Sequence, residues 1–176
     1  MHLQYRDLAI RNAAPADVPL LVKWWNDGAV MAHAGFPNGL HTTVEAETEQ
    51  LLQDSDETGR RLMIEHNGIP IGEMCYRNCG KKEAVIGIKI CEPAKQEKGL
   101  GRILLSMLIQ SLFTEHGYEK IVLNTNLKNA RAQHVYELLG FQKLRVNIDS
   151  WRDQTGILQS SVDYELIKEN FINFAQ

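Results

Sequence analysis

The sequence predicts a mixed α/β chain whose central, mostly antiparallel sheet of about seven strands is flanked by four helices. Three observations carry that expectation. Apolar residues recur at helical spacing through residues 18–25, then adopt strand-like patterning from residue 62 onward, so the period changes. Asn67-Gly68, set between two apolar runs, is a strong hairpin signal. Beyond residue 98, helix-like and strand-like segments alternate as far as residue 167. With 176 residues and 44% hydrophobic content, the chain can bury one substantial core and is short for two, so residues 1–176 are expected to form one domain.

Taken in order, residues 8–12 alternate enough to be a first strand. Pro15-Ala16-Asp17 opens a helix, with proline early and an acid in the first turn. Val18, Leu21, Val22 and Trp25 form its apolar side, and Asn26-Asp27-Gly28 stops it. Residues 33–41 are irregular, marked by Gly35, Pro37, Asn38 and Gly39. Thr42 or Thr43 caps a second helix that runs to Asp54-Ser55, with Glu45 and Glu47 behind the cap. Residues 62–66, 70–76 and 84–90 form an antiparallel meander. Gly87 inside the third strand suggests a bulge or a close backbone approach. A helix over residues 99–116 follows, stopped by Gly117. A strand at 121–125, a helix at 129–139 and a strand at 141–147 come next. Residues 149–159 are polar and turn-rich, and 161–167 pair back as the last strand.

Composition excludes several classes. Net charge is −3 and the 19 Lys and Arg are scattered, which argues against a nucleic-acid partner. No apolar run approaches the ~18–20 residues of a membrane span, and residues 2–6 lack the apolar core of a secretory signal. Cys75, Cys79 and Cys91 are odd in number and lack the companions of a metal site, so free thiols, no metal and a cytoplasmic setting are expected.

The candidate chemistry lies within residues 96–141. Gly99 and Gly101 stand where a strand hands over to a long helix, whose first N–H groups and partial positive charge attract phosphate. Lys98 and Arg102 add charge. Gly101-Arg102-Ile103 is no P-loop, and Leu104 breaks a dinucleotide fingerprint. Taken alone, this turn is often merely structural. Gln96-x-x-Gly99-x-Gly101, followed by Asn129-x-x-Ala132-x-x-x-Tyr136-x-x-x-Gly140-Phe141, resembles the GNAT superfamily of acyl-CoA-dependent N-acetyltransferases. The element order matches that fold over nearly the whole chain. Trp24-Trp25-Asn26-Asp27 resembles the branch holding ribosomal-protein N-terminal, spermidine and aminoglycoside acetyltransferases.

The resemblance implies acetyl-CoA as acyl donor and a primary amine, small or a protein N-terminus, as acceptor. It places the pyrophosphate on the turn formed by Gln96, Lys98, Gly99, Leu100, Gly101 and Arg102. The pantetheine arm would pair with the backbone at Ile88 and Ile90, admitted by the suspected bulge at Gly87. Asn129 would cap the next helix and reach the cofactor, and Ala132 would leave room for it to pass. Tyr136, one turn on, would act as general acid toward the CoA sulfur; outside that context an aromatic there reads as core. For the base, Glu73 is the first choice, with Glu83, Glu92 and His33 as rivals. Six acids between residues 41 and 59 form either an acidic rim for a cationic acceptor or a solvated helix face. Of the adjacent Trp24 and Trp25, one is expected in the core and one at the acceptor cleft. A homodimer stays open, as does a non-catalytic acyl-CoA sensor on the same fold.

Overall fold

The computed structural model describes residues 1–176. Its strands are β1 (His2–Tyr5), β2 (Leu8–Asn12), β3 (Gly59–His66), β4 (Ile69–Asn78), β5 (Glu83–Ile90), β6 (Lys120–Asn126), β7 (Gln142–Arg152) and β8 (Leu158–Ile167). They form one eight-stranded sheet in the order β1-β2-β3-β4-β5-β6-β8-β7. All pairs are antiparallel except β5 with β6. The helices are α1 (Val18–Trp25), α2 (Gly28–Met31), α3 (Val44–Leu51), α4 (Leu100–Thr114) and α5 (Ala130–Leu138).

Two elements exceed the expectation. β1 pairs with β2 through Leu3 and Ile10, supplying the eighth strand. The four-residue α2 starts at the glycine expected to end α1, because Asp27 Oδ1 caps it by accepting from Ala29 N–H at 2.8 Å. The turn-rich stretch is also shorter than read. β7 runs on to Arg152, and Asp153 organises the turn by accepting N–H bonds from Thr155 and Ile157.

The main core lies under α4. Leu104, Leu105, Leu108, Ile109 and Leu112 are buried against Ile64, Met74, Ile86 and Ile121 of the sheet. Successive strand residues face opposite sides, so Glu73, Cys75, Gly87 and Lys89 look the other way, toward α1 and α2. A smaller core there gathers Leu21, Trp24, Trp25, Met31, Met63 and Cys91. Both tryptophans are therefore core, correcting the expectation that one lines a cleft. Each indole N–H meets a carboxylate, Trp24 at Glu92 (3.0 Å) and Trp25 at Glu73 (2.8 Å), which is what lets indoles be buried side by side.

The bulge expected at Gly87 is absent. β4 and β5 stay in register throughout, with Gly87 opposite Cys75. A side chain at Gly87 would bring its Cβ to 3.1 Å from Cys75 Sγ, so the glycine makes room for that thiol. The register shift falls instead between β3 and β4, at Ile64/Glu65. What opens the sheet is the parallel pair. β5 and β6 are bonded only from Glu83–Lys120 to Val85–Val122, and then diverge. β6 continues to Asn126 against β8, so residues 86–90 of β5 have no strand partner on that edge.

Candidate active site

The divergence of β5 and β6 opens a cleft of about 1040 Å³ that crosses the sheet. At one end stands the first turn of α4. Gly99, its N-cap, has φ 73° and offers no side-chain cap, so the helix's leading N–H groups are left for an external acceptor. An added Cβ at Gly101 would meet nothing within 4 Å, which keeps the approach open. Gln96 Nε2 donates to Ile90 O at 2.8 Å, tying this loop to the end of β5. Arg102 lies over the turn: its Nε and Nη2 are 3.8 and 3.9 Å from where a Gly99 Cβ would stand.

Ile88, Ile90, Gln96, Gly99, Leu100, Gly101, Arg102, Asn129, Ala132, Tyr136 and Glu73 all line this single cleft. Lys98 does not; it is exposed beside the turn. Asn129 caps α5 by accepting from Ala132 N–H at 3.2 Å. Tyr136 is packed edge-on against Phe141 and tilted on Tyr164, each ring 5.8 Å away. Burial pushes its phenol up to about 12, and its hydroxyl has no partner within the protein. A buried tyrosine usually satisfies its O–H; this one is left for whatever fills the cleft.

Beyond the sheet lie the residues on the α2 side. Glu73 Oε1 receives Trp25 Nε1 at 2.8 Å and Lys89 Nζ at 3.2 Å, leaving Oε2 without a protein partner. Of the rival bases, Glu83 is paired with Lys120 at 2.6 Å and Glu92 with Trp24, whereas His33 lines the cleft. Cys75 sits on the floor, where surrounding protein raises its thiol, so it stays protonated and weakly nucleophilic. The six acids of residues 41–59 form no rim on this cleft. Glu47 is buried against Thr42, Asp54 pairs with Arg61 and Asp56 with Arg60.

Sequence reasoning missed the far wall. Trp151 of β7 lines the cleft and rests on Gly35, where an added Cβ would come within 2.4 Å of the indole. Gln154 fastens the β7–β8 turn to the loop after α2 with three hydrogen bonds: its N–H to Gly35 O, its amide to Gly39 O, and Asn38 N–H to its Oε1. No local signal ties residues 151–154 to 35–39; the contact exists only once the sheet has closed.

A crevice that crosses a splayed sheet, with an uncapped helix turn at one end and a free phenol midway, defines an α/β protein with one extended ligand cleft. A family model, Acetyltransferase (GNAT) domain, matches residues 7–142. The chain belongs to that family of acetyl-CoA-dependent N-acetyltransferases. Solved structures agree at the level of fold. A spermidine N-acetyltransferase from Vibrio cholerae, in complex with CoA and spermine, superposes with TM-score 0.82 at 21% identity, over 95% of this chain and 99% of that one. The ribosomal alpha-N-protein acetyltransferase RimL in complex with coenzyme A gives 0.82 at 16%, over 95% and 98%. A ribosomal-protein-alanine N-acetyltransferase from Brucella melitensis gives 0.77 at 20%, over 90% and 98%.

Proposed function

We propose that residues 1–176 act as one domain that moves an acetyl group from acetyl-CoA to a primary amine by direct attack within a ternary complex. The observation that carries this reading is the single cleft joining the open α4 turn, the unpaired edge of β5, Tyr136 and Glu73. The α4 N–H groups and Arg102 suit the phosphates, and the free edge of β5 at Ile88 and Ile90 suits an extended pantetheine arm.

An alkylammonium has a pKa near ~10.4, so the acceptor must lose a proton before it attacks. Glu73 Oε2 is the group we assign to take it, directly or through water, while Lys89 and Trp25 hold Oε1. Attack forms a tetrahedral intermediate; its collapse breaks the C–S bond and leaves CoA thiolate. Tyr136 donates its hydroxyl hydrogen bond to that sulfur.

Both acids on the cleft are already matched, Glu73 by Lys89 and Glu97 by Arg131. The test is free-thiol release from acetyl-CoA across a panel of amines. Turnover on at least one primary amine is expected; tight CoA binding without turnover on any would point to a sensor instead.

A further inference from the structure

The last six residues follow α4 backwards and end beside the phosphate-facing turn. Phe171 packs on Phe113, ring centroids 6.0 Å apart, near the end of α4. Asn173 Nδ2 reaches Gln110 Oε1 at 3.4 Å, and Phe174 N–H donates to the fully buried Ser106 Oγ at 3.0 Å. Residues 110, 106 and 102 are one turn apart on a single helix face. The next contact up that face is the Phe174 ring with the Arg102 guanidinium, 5.2 Å from carbon to centroid. Tyr5 O–H donates to Gln176 O at 3.0 Å and pins the far side of the segment to β1.

Arg102 makes no ion pair within the protein, yet it lines the cleft and lies over the Gly99 turn. A long, flexible cation with no partner would ordinarily sample many rotamers, and fixing it on binding would cost entropy. The ring removes much of that cost in advance.

We propose that Phe174 is a positioning residue for the acyl donor: its ring stacks on Arg102 and holds the guanidinium over the open α4 turn, ready for a CoA phosphate. This rests on the acetyl-CoA reading of the cleft. The segment is also held by the Phe174 N–H on Ser106 and by the Asn173 side chain on Gln110, so the ring can be changed without releasing the chain.

The experiment is a double-mutant cycle on CoA affinity, read by calorimetry at low salt, with Phe174→Leu, Arg102→Ala and the pair. Phe174→Leu is expected to weaken CoA by about threefold to tenfold, the size of a lost cation–π contact plus a freed rotamer. In the Arg102→Ala background the same change should have no further effect. KM for acetyl-CoA should rise with kcat and the amine KM unchanged, and Phe174→Tyr should restore affinity. Should Phe174→Leu melt early, Phe174→Met keeps the apolar volume and takes its place. Unchanged affinity in the single variant, or an equal loss with and without Arg102, overturns the proposal while leaving the acetyltransferase reading intact. A wild type that binds no CoA overturns both.

Discussion

Replacing Tyr136 by phenylalanine separates chemistry from packing. The hydroxyl makes no bond within the protein, so its removal leaves no orphaned partner and should leave Tm unchanged or slightly raised. The ring contacts with Phe141 and Tyr164 remain. The catalytic cost follows from the phenol's acidity. Burial pushes it up to about 12, against about 8.5 for an ordinary thiol. A phenol raised by burial gives up its proton less readily than an ordinary one, so its contribution lies chiefly in the hydrogen bond it donates. On the proposed reading Tyr136 serves the leaving sulfur by donating its hydroxyl hydrogen bond as the C–S bond breaks. Removing such a donor should lower kcat by about 10²- to 10³-fold, or roughly 2.7–4 kcal/mol. Thiol release under saturating acetyl-CoA and saturating amine measures kcat, calorimetry measures CoA affinity, and a melt checks the fold. The wild type should also show no alkaline loss assignable to this phenol below about pH 10, since it ionises only near 12. Equal kcat in wild type and Tyr136→Phe, or losses of affinity as large as the loss of kcat, would refute the reasoning.

Four further variants probe the rest of the molecule. Gly101→Val puts its side chain into open space, so Tm should change little, while CoA affinity should fall about 100-fold as roughly two charge-assisted N–H···phosphate bonds are blocked; Gly99→Ala, at φ 73°, should instead cost about 1–2 kcal/mol of stability. Glu73→Gln keeps an acceptor for the Trp25 indole but cannot take a proton, so kcat should drop about 10²-fold or more with CoA affinity unchanged; an undiminished kcat would return the base assignment to His33. Asp17 accepts two bonds from Arg11, at 2.6 and 2.8 Å, and that contact holds its carboxyl below the usual range. A lowered folded pKa gives stability that is complete above the unfolded carboxylate pKa, about 3.9, and is lost as pH falls through the folded value. Asp17→Asn should cost about 1–2 kcal/mol at pH 7 by urea titration, with the gap to wild type closing in acid; a gap independent of pH would assign the loss to packing.

The sequence by itself determined those features whose causes lie within a few residues. A threonine caps α3 (Thr43, of the two the sequence offers), Asn129 caps α5, Asn67-Gly68 turns β3 into β4, and Gly99 stands at the start of α4. Each follows from backbone geometry and a side chain near enough to reach it. Spacing along α5 likewise placed Ala132 and Tyr136 on one side, and both line the cleft. Gly87 shows where local reading failed: a glycine in a strand admits both a bulge and a close neighbour, and only the facing Cys75 decides between them. The same holds for the tryptophans, which are both core because Glu73 on β4 and Glu92, just past the end of β5, accept their indole N–H groups. The opening of β5 from β6, the match of Glu73 with Lys89, the Gln154 clamp and the Phe174 ring on Arg102 were decided by tertiary structure alone. Their partners stand on different elements, and no periodicity or capping preference encodes which strand edges part or which side chains meet once the sheet and its helices have packed.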